Sequence, residues 1–289
     1  MLVLGATGMM GHAACLVLRR SHQVFGACRA RYSYCPRLHA FLDSTACFDE
    51  WNVEDMDYLQ EILDRCRPNA VLNCVGLVKQ KQESEGAVRT ITVNALFPHK
   101  LARLCDERGA KLIHLSTDCV FSGAEGLRVE SDSPDPVDLY GRSKLLGEIT
   151  YSPHVTLRTS MIGRQLTGST GLLEWFLQNR NGKVRGFVHA IFSGLTTYAL
   201  GSVIRRLVDL DDETHGLYHV SAEPISKYEL LLRLSEVLSL GIDVEPFEDF
   251  RCDRSLNGER FKTDTGIPIP SWDQMLDDLK EHQRAYRSG

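Results

Sequence analysis

The sequence predicts an α/β protein: a doubly wound parallel sheet with a smaller C-terminal lobe. Three observations predict it. The chain opens on a short apolar run, Leu2–Leu4, which enters a glycine-spaced turn and leaves as a helical pattern. Short apolar runs then alternate with helical spacing as far as Ile149, the rhythm of repeated βα units. The length of 289 residues suits one large α/β domain, or one with a smaller lobe.

Composition narrows the class. Apolar residues make up 43% of the chain, an ordinary share for a globular protein. No apolar run approaches the roughly 18 residues of a membrane span, and the first residues lack the basic start and long apolar core of a signal peptide. A cytoplasmic protein without membrane insertion is expected. The formal net charge of -5 argues against nucleic acid as a partner. The nine cysteines are odd in number and form no CxxC pair. Those at Cys28, Cys74 and Cys105 fall in apolar patterns and read as buried thiols, not disulfides or metal ligands.

The first turn is Gly5-Ala6-Thr7-Gly8-Met9-Met10-Gly11, between the strand and a helix over Met10–Arg20. Gly5 permits the turn, Gly8 lets backbone N–H groups approach a pyrophosphate, and Gly11 lets the helix pack closely on the strand. An anion then sits at a helix N-terminus. An ordinary strand–helix turn is the plainer reading. The strand before and the helix after favour dinucleotide binding.

A second strand, Gln23–Cys28, ends at Arg29, with Arg31 beyond. An acidic residue at this position would accept bonds from a ribose 2′-hydroxyl, whereas arginine suits a 2′-phosphate. The position therefore favours NADP(H) over NAD(H), unless the arginines are a solvated surface pair. Residues Arg31–Thr45 read as an irregular loop and Ala46–Val53 as a third strand whose end, Asn52-Val53, borders an adenine in this topology. Asp55–Cys66 has helical spacing. Ala70–Cys74 is the fourth strand, and Cys74, Val75 and Gly76 follow either as a plain turn or as backbone against the cofactor ribose. Lys79–Glu85 reads as a polar loop bordering a substrate, and Val88–Arg108 as one long helix kinked at Pro98. Asn94 inside it needs a partner, and backbone of the neighbouring strand is the expected one. Lys111–Leu115 is the fifth strand, delivering Ser116, Thr117 and Asp118 to the carboxyl edge where open α/β sheets bind ligands. A Pro- and Asp-rich loop, Asp132–Asp138, leads to a helix over Leu139–Ile149.

That helix carries Tyr140 and Lys144, four residues apart and so on one face. A lysine charge beside a phenol favours tyrosinate and lowers its pKa. Such a pair can pass a proton to or from a carbonyl or alcohol oxygen. Thr117 would supply a second hydroxyl to that oxygen, with Asp118 assisting, while a nicotinamide held by the glycine loop delivers hydride. Thr117, Tyr140, Lys144 and Asp118 are the candidate catalytic residues.

The order GATGMMG, NCVG, STDCVFSG and YGRSK resembles the extended short-chain dehydrogenase/reductase family, and within it the dTDP-4-dehydrorhamnose reductase group. The match continues through Leu157–Arg164, Ser193–Gly201 and Gly216–Leu231, nearly the whole chain. The resemblance implies a Rossmann-type fold, with Thr117, Tyr140 and Lys144 as the family's catalytic threonine, tyrosine and lysine. It implies NADPH-dependent reduction of the 4-keto group of a nucleotide-activated 6-deoxy sugar, for deoxysugar and polysaccharide supply. Tyr140, Lys144 and Thr159 join Gly5, Thr7, Gly8, Met9, Met10, Gly11, Arg29, Arg31, Asn52, Val53, Cys74, Val75 and Gly76 as cofactor contacts. Dimers are common among such relatives, so a homodimer is an open expectation. Cys119 stands where the group has tyrosine. The NCVGLVKQ and CDRSLNGERF segments also depart from its pattern, which leaves the particular sugar open.

The domain boundary is expected near Thr159, with a Rossmann domain over 1–159 and a substrate lobe over 160–289 that returns segments to the sheet. Helices are expected over Gly171–Gln178, Thr197–Val208, Lys227–Leu238 (Ser226 and Glu229 forming a capping box) and Ser271–Tyr286. Strands are expected over Gly216–Val220 and Asp243–Phe247. Arg164, Arg254 and Arg260 are candidates for a substrate pyrophosphate, and Lys79, Thr117, Thr196 and Thr197 for sugar contacts. Two rival functions stay open. One is an epimerase or dehydratase of the same fold, with Lys79, Cys119 or His189 as a second acid–base group. The other is a non-catalytic NADP-binding regulatory subunit.

Overall fold

The computed structural model describes residues 1–78, 82–210 and 214–286. In chain order it forms β1 (Leu2–Leu4), α1 (Met9–Leu18), β2 (Phe25–Ala27), β3 (Cys47–Phe48), α2 (Met56–Cys66), β4 (Ala70–Asn73), α3 (Gln82–Ile91), α4 (Phe97–Asp106) and β5 (Lys111–Thr117). There follow α5 (Leu139–Leu146), β6 (Val155–Thr159), β7 (Met161–Ile162), α6 (Leu172–Gln178), β8 (Lys183–Phe192), β9 (Leu195–Thr196), α7 (Thr197–Val208) and β10 (Gly216–His219). The chain ends with β11 (Ile225–Ser226), α8 (Lys227–Val237), β12 (Asp243–Asp253), α9 (Glu259–Thr265) and α10 (Trp272–His282).

The main sheet has seven strands in the order β10-β6-β5-β4-β1-β2-β3, all pairs parallel. The order reverses between β1 and β4, which opens a crevice at their carboxyl ends. Parallel strands joined by helices are buried on both faces, and here successive residues serve different cores. Val3, Leu72, Ile113 and Leu115 pack under α1 and α7. Leu2, Leu4, Val71 and Leu112 pack under α2 and α4. Beyond Thr159 the chain builds a three-stranded sheet, β11-β8-β12, and a two-stranded one, β7-β9, and also returns β10 to the main sheet beside β6.

Several elements differ from the sequence expectation. The third strand is two residues long, because Glu50 takes a left-handed conformation (φ 56°) and breaks the ladder. The long helix expected over Val88–Arg108 is two helices joined by a π-helical turn, Thr92–Leu96. Pro98 has no N–H to return to the Asn94 carbonyl four residues back, so the turn widens there. α3 begins at Gln82, inside the expected polar loop. Gly147 stops α5 early, and the last helix tightens into a 3₁₀ turn over Gln283–Tyr286. β12 runs eleven residues, twice the expected strand, pairing in parallel with β8, which the sequence reading left unassigned. Ser226 caps α8 through the Glu229 amide at 3.0 Å, but the Glu229 carboxylate pairs with Arg233. The reciprocal capping box lies instead between Ser271 and Gln274 at the start of α10.

Candidate active site

The glycine turn is built as the spacing requires. Gly5 has φ 81°, and its N–H and that of Ala6 both bond the Ala27 carbonyl, at 2.9 and 3.0 Å. A Cβ at Gly11 would overlap the Gly5 carbonyl oxygen, so only glycine lets α1 start this close to β1. Gly8 is the N-cap residue, and no side chain caps α1. The first-turn amides of Met9, Met10 and Gly11 thus stand at a helix N-terminus where an anion is favoured.

The end of β4 closes on this turn. A Cβ at Gly5 would lie 3.3 Å from the Cys74 carbonyl and the Val75 nitrogen, so the two expected cofactor segments touch. Asn73 Oδ1 accepts the Val75 N–H at 3.0 Å. Asn94 finds a backbone partner at Leu77, in the turn past β4 and not in the strand itself. Its Oδ1 accepts the Leu77 N–H at 2.8 Å, and its Nδ2 donates to the Leu77 carbonyl at 2.9 Å and to Ser143 Oγ at 3.1 Å. One buried amide thereby ties the β4 turn to α5.

Thr117 closes β5. Its hydroxyl donates to Asp118 Oδ1 and accepts the Cys119 N–H, both at 3.1 Å. Asp138 caps α5 by accepting the Gly141 N–H at 2.9 Å. A Cβ at Gly141 would overlap the Cys119 carbonyl oxygen, so this glycine lets the helix lean on the loop after β5. Tyr140 is thus brought beside Thr117. Lys144, one turn on, is buried and donates to the Leu115 carbonyl at 2.5 Å.

The electrostatics depart from expectation in one respect. Burial raises the Tyr140 phenol above its usual range, Cys119 and Asp118 add to this, and the Thr117 hydroxyl pulls it back. The lowering expected from Lys144 does not show: burial and the neighbouring Cys119, Asp118 and Asp138 set the direction. Lys144 itself is pushed down to about 8 by burial, against the pull of Glu148 and Cys74. Burial also raises Asp118, opposed by hydrogen bonding to Cys119 and by the Arg254 charge.

Of the expected cofactor arginines, Arg29 is exposed past the end of β2, and Arg31 pairs with Glu50 at 2.8 Å on the surface. Asn52 and Val53 follow β3, and Thr159 ends β6 in register with Thr117. The expected substrate residues are scattered. Arg254 reaches the site: it donates to the Phe121 carbonyl at 3.1 Å and lies 3.5 Å from Cys119 Sγ. Arg164 does not stand free for a pyrophosphate, because Glu174 holds it at 2.6 Å, Gln283 accepts from it, and it covers the Tyr286 ring. Thr196 is buried and caps α7, and Thr197 is buried against Gly163. Arg260 stacks on Tyr218 and pairs with Asp264 beside β10. His189 sits on β8 opposite Arg251, outside the Thr117 cluster. Lys79 lies outside the described residues.

The sequence reading missed a set of buried polar groups behind Lys144 and Thr117. Asn73 and His114, fully buried and paired in register on β4 and β5, bond side chain to side chain at 3.1 Å. Glu148 takes Ser116 Oγ at 2.7 Å and a bidentate grip from Arg158 at 2.7 and 2.8 Å. The signal was present: a polar residue inside a buried strand needs a partner.

A parallel sheet of this order with a glycine turn at β1 is the Rossmann-type fold of the extended short-chain dehydrogenases/reductases. The chain belongs to the family described as RmlD substrate binding domain, which matches residues 1–284. It is 36% identical over 151 residues to a protein of Haloferax volcanii named probable low-salt glycan biosynthesis reductase, covering 50% of this chain and 46% of that protein. It is 25% identical over 252 residues to the methionine adenosyltransferase 2 subunit beta of Danio rerio, covering 83% and 74%. The chain spans about half the length of the first curated relatives, 46% and 45%. Its fold matches a dTDP-4-dehydrorhamnose reductase from Bacillus anthracis, solved with NADP, at TM-score 0.76 and 20% identity, covering 96% and 97% of the two chains. Among the described residues no helix is long and apolar enough to cross a membrane.

Proposed function

We propose that this chain is a cytosolic NADPH-dependent reductase of the 4-keto group of a nucleotide-activated 6-deoxy sugar. The observation that carries the reading is the meeting of Thr117, Tyr140 and Lys144 at the carboxyl end of β5, beside the glycine turn and the β4 end. The residues fit a dinucleotide: α1 has no side-chain cap, Gly11 packs where a Cβ would clash, and β4 closes on Gly5. Gly5 to Gly11 would hold its pyrophosphate, Cys74 to Gly76 and Lys144 the nicotinamide ribose, and Arg29 with Arg31 a 2′-phosphate. When bound, it supplies the hydride.

The chain's own residues do the rest. Thr117, held through the Cys119 amide, turns its O–H from Asp118 Oδ1 to the carbonyl oxygen that the Tyr140 hydroxyl also addresses. A phenol raised by burial is held protonated, which suits a proton donor in the reductive direction. As charge develops on the sugar oxygen, Tyr140 gives its proton and Lys144 steadies the phenolate. Arg254, at the loop that carries Cys119, faces an anionic part of the substrate.

A second reading rests on the similarity to the methionine adenosyltransferase subunit: a binding protein that holds the cofactor without turnover. NADPH absorbance separates the two on mixing with a panel of nucleotide 4-keto-6-deoxy sugars. The reductase consumes NADPH with at least one sugar, and Tyr140→Phe lowers the rate by about 10²- to 10⁴-fold while still binding NADPH. Binding without consumption across the panel overturns the reductase in favour of the subunit. A sugar altered at a ring carbon with no net NADPH loss points to the epimerase.

A further inference from the structure

Behind Lys144 lies a chain of three polar groups, two of them fully buried, whose hydrogen-bond directions follow from one another. It starts at the Val75 amide, which can only donate. Asn73 Oδ1 accepts it at 3.0 Å, which fixes which end of the Asn73 amide is which. Asn73 Nδ2 therefore faces His114 Nδ1, at 3.1 Å, as a donor. A neutral imidazole carries one N–H, and with Nδ1 accepting it is on Nε2. Nε2 lies 3.5 Å from Lys144 Nζ.

An ammonium has three donors and no acceptor. Nε2–H therefore meets a charged Lys144 as donor against donor, and a neutral amine as donor to acceptor. The opposite tautomer would let the ammonium donate to Nε2. It would also turn the Asn73 amide and set its NH₂ against the Val75 N–H in a site where Asn73 and His114 are fully buried. An unpaired buried donor costs more than the weak, long contact at Lys144 returns.

We propose that His114 is a positioning residue for Lys144: Asn73 and the Val75 amide lock its Nε2–H towards the lysine, so the imidazole opposes the ammonium until other acceptors take its protons. The idea rests on the reading of Lys144 as a cofactor-ribose ligand, whose hydroxyls are such acceptors. It also couples that lysine to the β4 turn, since both ends of the relay border the same crevice.

The other groups facing the pair are Tyr140 on α5, Glu148 just past its end, Cys74 at the end of β4, and His99 on α4. Glu148 and Cys74 favour the charged lysine, while burial disfavours it and leaves Lys144 at about 8. Burial, with the charges of Lys144 and His99, holds His114 well below its usual value and so neutral. None of these charges selects between the two imidazole nitrogens; the Val75 amide does.

Two measurements test this without NADPH oxidation. In ¹⁵N-histidine-labelled protein, the His114 signal, assigned by its loss in His114→Gln, should show Nδ1 unprotonated and Nε2 protonated throughout neutral pH. The reverse pattern, or an imidazolium, overturns the proposal even if no variant of Asn73 folds. Asn73→Asp keeps an acceptor for the Val75 N–H but presents a second oxygen that demands Nδ1–H. His114 should then switch tautomer, and Lys144, followed by its ¹³Cε shift, should titrate about one pH unit higher, a tenfold gain in proton affinity. A rise in Lys144 without the switch would be the added charge alone and would overturn the proposal. If the spectra come out as expected and no sugar is reduced, the reductase reading falls by itself.

Discussion

Replacing Glu148 by alanine would strip the counter-charge from Arg158 in a place water barely reaches. The two side chains are 5% and 4% exposed, and the guanidinium grips the carboxylate through two bonds of 2.7 and 2.8 Å. Ser116 Oγ also donates to Glu148, at 2.7 Å, and would lose its acceptor. Removing one partner of a buried pair leaves an uncompensated charge and costs about 3–5 kcal/mol. For a chain of this size that lowers Tm by roughly 6–15 °C, at about 2–3 °C per kcal/mol. Removing both charges together, as Glu148→Leu with Arg158→Met, should recover part of the loss, because the buried charge goes with its partner. Recovery stops short of full: His219 Nε2, which accepts from Arg158 at 3.3 Å, would stay unpaired. Urea unfolding of the wild type, Glu148→Leu, Arg158→Met and the double variant measures the cycle, with Glu148→Ala beside it, provided the urea slope is unchanged. A loss below about 1 kcal/mol in Glu148→Ala would refute the reasoning, since that is the range of an exposed pair. A double variant no better than Glu148→Ala alone would refute it equally.

Two further outcomes follow from the same structure. His12 and His219 are buried and held neutral, pushed down to about 4 chiefly by burial, so the unfolded chain binds more protons than the folded one below their ordinary value of 6.5. Stability should be full above pH 6.5 and fall as pH drops towards 4, by about 3 kcal/mol for each histidine; a urea midpoint flat across that window would count against it. Gly11→Ala should weaken NADPH binding at least tenfold and cost about 1–3 kcal/mol of stability, because its Cβ would overlap the Gly5 carbonyl oxygen. Gly8→Ala, whose Cβ would sit 3.2 Å from the same oxygen, should cost far less stability, and equal urea midpoints in the two variants would sink the distinction.

What was legible in the sequence was local. The glycine spacing states its own geometry, because Gly5, Gly8 and Gly11 each answer a backbone requirement within a few residues. Tyr140 and Lys144 were legible because four residues on a helix put two side chains on one face. Asn94 was legible as a polar intruder in an apolar helix, and Leu77 is the backbone it holds. What failed depended on distance along the chain. Arg164 resembles a phosphate ligand until Glu174 and Gln283, the latter 119 residues away, close on it. Arg260 looks the same until Tyr218, from β10, is found beneath it. β12 was cut short because its residues are largely exposed on an edge, so no alternation of apolar residues marks its length. The phenol shift went the other way for a similar reason: spacing shows that a lysine is near, and says nothing of how deeply the pair is buried.

The candidate site also explains why α5 must sit where it does. Tyr140, Lys144 and Glu148 recur every four residues, and each engages the neighbouring strand at a different level. Tyr140 meets Thr117, Lys144 meets Leu115 and His114, and Glu148 meets Ser116 with Arg158 behind it. One stripe, on α5 and just past its end, is thus fastened along four consecutive residues at the end of β5. Two glycines allow that closeness: Gly141 lies against the Cys119 carbonyl and Gly147 against the Asn94 carbonyl, where any Cβ would clash. Proton transfer between a phenol and a sugar oxygen tolerates little error in position, and misplacement of about 1 Å can cost on the order of a hundredfold. A buried ion pair behind the stripe and glycines beneath it hold the phenol to that tolerance, which is a reason to keep a costly pair such as Glu148–Arg158 where leucine and methionine would also pack.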